Sequence, residues 1–316
     1  MDALAGFLDG PRAQGAFLLR SILEPPWSLR IQDEAPLTVV AMVQGTSWVL
    51  FDDEDPVPLG AGDVAIVRGP DHYTVADDPG TAPQVVIHPG QLCTTPDGVS
   101  LSEAMDLGLR TWGNDRGGSH VVLTGTYTTD GEVSRRLLEA LPRTTVLAAD
   151  SWDCPVIPLL AAEIVRDEPG QDVVLDRLLD LLLVDALRTS FARAGTDVPA
   201  WYRAHGDPVV GRALRLMHND PGQPWTVAAL AAAVGVSRAA LARRFGDLVG
   251  EPPMAFLTGW RMALAADLLL ESGASVNGVA RQVGYGSPFT FSTAFKRTYG
   301  VSPRAYRDDR RRAPAS

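Results

Sequence analysis

Lysine occurs once in the 316 residues, as Lys296, and cysteine twice, as Cys93 and Cys154. Two cysteines cannot build a disulfide framework, and they fit a reducing compartment in which both stay thiols. Long apolar runs are missing as well. Polar and charged residues such as Ser28, Arg30 and Asp33 interrupt every stretch before it reaches the ~18 residues that a spanning helix needs. No membrane association is therefore expected. The opening residues show neither the basic segment nor the unbroken apolar core of a signal peptide, which predicts a cytoplasmic protein. Histidine is sparse, and no His-x-His pair with a downstream Glu is present. A catalytic metal needs several imidazoles and a carboxylate converging around an open position. No metal, no cofactor and no catalytic residue is expected.

Charge is present but unevenly placed. Residues 201–316 carry 15 Lys+Arg and 8 Asp+Glu, a net +7, while residues 1–200 carry 13 and 30, a net −17; together they make the −10 of the whole. Such asymmetry is what a nucleic-acid-binding module joined to a non-binding one produces.

Within the basic part, residues 284–300 read GYGSPFTFSTAFKRTYG. Ser287 is a good N-cap and Pro288 suits the first helical position. Phe291 and Phe295 then share one buried face, and Gly300 can end the helix in a left-handed turn. Upstream, Val276–Val283 has helical apolar spacing, with Ser275 as cap and Gly284 as stop. Two short helices joined by a glycine turn form a helix-turn-helix candidate. The stretch VAALAAAVGVSRAALARRF at 227–245 repeats it: Ala231 matches Ala280, Gly235 matches Gly284, Phe245 matches Phe295 and Gly250 matches Gly300, with Gly286 the one inserted residue. Between the copies, residues 253–271 predict one helix of about 27 Å. That approaches the ~34 Å separating successive major-groove segments on one side of B-DNA.

With these motifs in place, residues from about 207 to 308 resemble the DNA-binding domain of the AraC/XylS family of transcription regulators. The resemblance implies a sequence-specific regulator that binds double-stranded DNA, and RNA polymerase as a further partner if it activates. The family's base-reading positions fall on Arg238, Ala239, Ala242 and Arg243 in the first copy and on Pro288, Phe289, Thr290 and Thr293 in the second. Arginine pairs bidentately with guanine, so Arg238 and Arg243 are the candidates for direct reading. Phe289 and Thr290 offer apolar or thymine-methyl contacts. Arg244, Lys296, Arg297 and Arg304 are assigned to phosphates.

Residues 12–127 read as β, with runs at 37–43, 47–51, 63–67, 84–88 and 119–123 punctuated by Gly, Pro and Asp. Residues 60–72, GAGDVAIVRGPDH, resemble the second motif of cupin barrels, but the metal set of that family is missing upstream. A small organic effector is therefore the expected occupant, with Trp27, Trp48, His72, Tyr73, His88 and Trp112 as candidate contacts. Two alternatives stand beside it: a metal- or thiol-dependent sensor using His72, His88 and Cys93, and a metal-dependent cupin enzyme with an accessory helical domain.

Residues 132–195 read as helix. In 172–187, Leu175, Leu178, Leu179, Leu182 and Ala186 share one face, and Val174, Leu181 and Val184 another. One helix cannot bury both faces on a single barrel wall, so the second needs another partner, either the helix at 158–165 of the same chain or a second copy. The resemblance to dimeric members of the family implies that Val174, Leu178, Leu181 and Val184 meet a second copy in a homodimer. The expected organisation is α+β: a cupin-like barrel (1–130), a helical dimerisation segment (131–196), a linker (197–207) and a double helix-turn-helix domain (208–316).

Overall fold

Strand pairing between distant segments organises the acidic part. The computed structural model describes residues 17–127, 131–139, 141–152, 154–193, 200–271 and 273–312. Its strands are β1 (Phe17–Leu23), β2 (Ser28–Ile31), β3 (Leu37–Gln44), β4 (Ser47–Leu50), β5 (Val57–Leu59), β6 (Val64–Arg68), β7 (Tyr73–Ala76), β8 (Val85–His88), β9 (Leu92–Thr94), β10 (Asp106–Gly108), β11 (Thr111–Gly113), β12 (His120–Tyr127) and β13 (Thr144–Leu147). They form a sheet ordered β10-β11-β1-β12-β3-β6-β13 and a second ordered β5-β4-β7-β2-β8-β9. A core that includes Trp27, Met42, Val49, Leu59, Tyr73 and Trp112 fills the space between them. The five expected runs all form strands. The turn of the cupin-like motif is built by Asp63, whose carboxylate accepts the Gly60 N–H at 2.7 Å and the Ala149 N–H at 2.8 Å.

The helices are α1 (Glu132–Leu138), α2 (Val156–Glu163), α3 (Gln171–Arg193), α4 (Ala200–His205), α5 (Val210–Asn219), α6 (Val227–Ala233), α7 (Arg238–Val249), α8 (Pro253–Leu270), α9 (Val276–Gln282), α10 (Pro288–Tyr299) and α11 (Pro303–Arg312). Among the described residues no helix is long and apolar enough to cross a membrane.

The chain divides into two compact units, one of residues 12–129 and 141–195, the other of 130–140 and 196–315. In the first, α3 lies over β12. Tyr127 donates its hydroxyl hydrogen bond to the Leu179 carbonyl at 2.8 Å, and the absent side chain of Gly125 makes room for Leu179, whose Cδ1 stands 2.5 Å from where a Cβ would be.

Two sequence expectations change. The helical reading of 132–195 is interrupted by β13, where the β-branched Thr144, Thr145 and Val146 pair antiparallel with β6. The stretch expected as linker carries α4, whose Ala204 is fully buried in the core with Val210, Leu241 and Phe245; positions 197–199 lie outside the described residues. Positions 1–16 of the expected barrel domain and 313–316 of the expected DNA-binding domain lie outside them as well.

In the second unit, α8 supplies side chains to two cores. Phe256 and Leu257 join Leu214, Met217, Leu241 and Phe245; Met262, Ala266 and Leu269 join Val279, Val283, Phe291 and Phe295. A helix apolar on most of its circumference must be covered on most sides, and here the two helix pairs cover it.

Candidate functional site

The two helix pairs repeat each other in detail. Thr226 caps α6 by accepting the Ala229 N–H, and Ser275 caps α9 by accepting the Gly278 N–H. Ser237 caps α7 and Ser287 caps α10 in the same way, and both second helices run twelve residues to a left-handed glycine, Gly250 or Gly300. The turns within the two pairs hold Gly235 and Gly284 at φ +76° and +79°, a region that suits glycine. At Gly284 a Cβ would also stand 2.7 Å from the Gly222 carbonyl oxygen and from Arg261 Nη2. Arg261 is the strap here: its Nε donates to the Pro221 carbonyl and its Nη2 to the Gln223 carbonyl, both at 2.7 Å.

With Leu241 and Phe245 facing inward on α7, and Phe291 and Phe295 on α10, the opposite faces are open. Arg238, Ala239, Ala242 and Arg243 are all exposed on the first, and Pro288, Phe289, Thr290 and Thr293 on the second. The two faces differ chemically. The Thr290 and Thr293 hydroxyls donate to the carbonyls of Ser287 and Phe289, at 2.9 and 3.0 Å, while Phe289 stands 81% exposed. Lys296, Arg297 and Arg304 are exposed too.

Arg244, expected at a phosphate, is exposed and also pairs with Asp207. Its Nε and Nη2 both donate to Asp207 Oδ2, at 2.9 and 2.6 Å. The other oxygen of Asp207 accepts the Val209 and Val210 N–H groups at the head of α5. Burial pushes the Asp207 carboxyl upward, but the Val210 N–H and the Arg244 guanidinium outweigh it and hold it below its ordinary value. Arg244 thus ties α7 to α5.

Between the two sheets lies a cavity of ≈170 Å³ with Leu19, Leu29, Ile31 and Ile87 as apolar walls and Tyr73, Trp112, Thr38, Thr124 and Thr126 among its polar lining. Burial pushes the Tyr73 hydroxyl well above its ordinary pKa, and it hydrogen-bonds the Thr38 side chain. A smaller space of ≈30 Å³, sharing Ser21, Leu29, Ile31, Tyr73 and Thr124, reaches Trp27. Of the six residues expected at an effector, Tyr73, Trp112 and Trp27 therefore line these cavities.

The other three do not line these cavities. His72 is exposed, because β7 begins only at Tyr73 and leaves it in the preceding turn. Trp48 is half-buried on the face of β4 opposite to the fully buried Val49. His88 binds Thr94 Oγ1 through Nε2 at 2.9 Å across the β8–β9 pair. Sequence reading missed Ser21, Asp33, Thr38, Thr124 and Thr126; the alternation of Thr124 and Thr126 along β12 was the available signal.

Among the described residues no three His, Cys, Asp or Glu side chains gather as a metal site. Cys93 lines the larger cavity, and burial pushes its thiol above the ordinary pKa, which disfavours the reactive thiolate.

On α3 the expected second face is open: Val174 and Leu181 are 44% and 51% exposed, with Leu178 and Val184 half-buried beside them.

Comparison with known proteins agrees with this division. A family model described as a cupin matches residues 2–192, and one described as a helix-turn-helix domain matches residues 230–309. An AraC-like transcription regulator of Streptomyces lividans is 32% identical over 89% of this chain and 90% of its own length. The transcriptional regulator AlkR of Acinetobacter baylyi is 28% identical over 97% of this chain and 99% of its own. Among solved structures, the DNA-binding domain of AdpA in complex with a target DNA is 35% identical, covering 35% of this chain and 100% of that one, with a TM-score of 0.33.

Proposed function

The chain belongs to the AraC/XylS family of transcription regulators, with a cupin region and a helix-turn-helix domain, and is not an enzyme; from that premise we propose that it binds its operator as a homodimer whose affinity is set by a small organic effector held in the barrel. The observation that carries the effector reading is the larger cavity, apolar on its walls and lined with hydroxyls and the Trp112 indole, with Trp27 on the smaller space that shares its walls. Such a space suits non-covalent capture of a compact molecule. A ligand shifts DNA affinity only by as much as it discriminates between barrel states, typically ~5–150-fold.

Base reading is assigned to Arg238, Ala239, Ala242 and Arg243 on α7 and to Pro288, Phe289, Thr290 and Thr293 on α10, with Lys296, Arg297 and Arg304 on phosphates. Their common exposure beside buried aromatic partners supports this assignment. The open Val174 and Leu181 supports the homodimer. The domain organisation that goes with it is a barrel that takes in β13 as well as β1–β12, a helical pairing segment on α2 and α3, and a DNA-binding unit that begins with α4.

The test is a gel-shift titration of the full chain against upstream DNA fragments, repeated with a metabolite panel. A compound that changes the shift and also raises the melting temperature supports the reading. A compound that changes the shift of a 200–316 fragment to the same degree contradicts it, because that fragment lacks the barrel.

A further inference from the structure

Among the described residues, the larger barrel cavity is lined by one charged residue. Asp33, half-buried, contributes to it, and no described lysine, arginine or histidine does. The carboxylate is already engaged by neutral donors: Oδ1 accepts the Ala35 N–H at 3.1 Å and Oδ2 accepts the Gln91 amide at 3.0 Å. Among the described residues, this carboxylate therefore stands in the cavity wall without a cation beside it. Trp112 is only 7% exposed, and its indole N–H is closed off from solvent and meets no acceptor among the described residues. Trp27, lining the smaller space, is in the same position. A buried donor left without an acceptor has lost its hydration and gained nothing in return. Few buried groups are left so in native proteins, and each such group calls for a partner.

Three ligand classes can be weighed against these features. A carboxylate would satisfy the Trp112 N–H, but it would enter beside Asp33 with no cation to pair it, in a part of the chain whose residues 1–200 carry a net −17. An ammonium ion would suit Asp33 but would leave the indole donor unpaired and bring a second donor to it. A neutral oxygen on an apolar body answers both: it accepts from Trp112, and its body lies against Leu19, Leu29, Ile31 and Ile87. The volume, ≈170 Å³, is close to the ~150 Å³ of an apolar cavity that holds benzene.

Resting on the reading of this cavity as the effector site, we propose that the effector is an uncharged, oxygen-bearing apolar molecule about the size of one substituted ring, that Trp112 donates to its oxygen, and that Asp33 excludes anions.

Four probes of nearly equal size separate these terms: toluene, benzyl alcohol, benzylamine and benzoate, titrated into the full-length chain at neutral pH by calorimetry and by melting temperature. Benzyl alcohol is expected to bind about 5–10-fold tighter than toluene, the worth of one net hydrogen bond. Benzylamine should bind more weakly than the alcohol, and benzoate should not bind at millimolar concentration. Trp112→Phe should abolish the advantage of the alcohol over toluene while toluene still binds, which shows that the cavity persists. Asp33→Asn should admit benzoate. Benzoate or benzylamine matching the alcohol on the wild-type chain would overturn the charge selection. An alcohol-to-toluene ratio unchanged by Trp112→Phe would overturn the role of the indole. If no probe raises the melting temperature, the reading of the cavity as a ligand site is itself wrong, a result distinct from either of these.

Discussion

An aromatic ring left 81% exposed at the head of α10, as Phe289 is, contributes nothing to its own core. Phe289→Ala should leave the melting temperature within the range of ordinary surface substitutions, about 0.5 kcal/mol. It should weaken operator binding by about 1 kcal/mol through lost apolar contact with a thymine methyl. Replacing the contacted thymine by deoxyuridine, which lacks that methyl, should reproduce the loss on the wild-type chain and add nothing on the variant. A variant that still senses the methyl would remove Phe289 from the interface. The arginines separate in another way. Arg243→Ala is expected to cost about 1–3 kcal/mol on the operator and little on random DNA, whereas Arg297→Ala should weaken both and lower the salt slope by about one. An equal loss on both DNAs for Arg243→Ala in a gel-shift titration would contradict base reading. Arg244 shows the limit of reading side chains singly: its neighbours in sequence gave no hint of Asp207, 37 positions away, which takes up two of its donors.

Elements differed in how far the sequence disclosed them. The helix pairs were legible because each is local: cap, apolar face and glycine stop lie within a dozen residues, and the repeat doubled the signal. The strands β1 and β13 were not, since their partners are remote, with β1 on β11 and β12 and β13 on β6. β2 carries Arg30 within four residues, and its alternation is too short to count. The cavity was half legible for the same reason: Trp27, Tyr73 and Trp112 are conspicuous by type, while Asp33 and Thr126 join them only through pairing. One element contact was wholly hidden. Asp267 on α8 accepts the Glu132 and Val133 N–H groups at the start of α1, at 2.6 and 3.2 Å, and Glu132 in turn meets the Tyr306 hydroxyl and Arg310. Burial pushes the Asp267 carboxyl up to about 6, against the pull of those two N–H groups. A carboxyl that is more basic in the folded chain than its ordinary 3.8 binds a proton more readily folded than unfolded. Its contribution is therefore most favourable below about pH 4 and is lost as pH rises through 6, by on the order of 3 kcal/mol. Asp267→Asn should gain in melting temperature relative to wild type between pH 5 and pH 7.5. An unchanged difference across that range would mean that Asp267 does not titrate in this way.

At the scale of the whole molecule, charge and apolar surface are divided between the two ends of the chain. The basic excess lies after position 200, in the part that holds the helix-turn-helix domain, and an open apolar face lies on α3, within the acidic part. On α3 the buried positions Leu175, Leu179, Leu182, Leu183 and Ala186 leave Val174 and Leu181 outward. An apolar pair open on a helix whose other side is packed fits a second copy meeting it across a two-fold axis, so that each α3 covers the other. Joining two DNA-binding units in this way raises operator affinity without a new DNA contact, because the second half-site is then engaged at high effective concentration. Leu181→Asp places a carboxylate on that face. In a monomer it would sit at 51% exposure and cost little; in a desolvated dimer interface it would cost several kcal/mol. Sedimentation of the variant should show a monomer with the wild-type melting profile of the DNA-binding unit, binding a single half-site and losing the tight complex with the full operator. A wild-type chain that sediments as a monomer at micromolar concentration, or a variant that stays dimeric, would assign the open face of α3 to something other than a second copy.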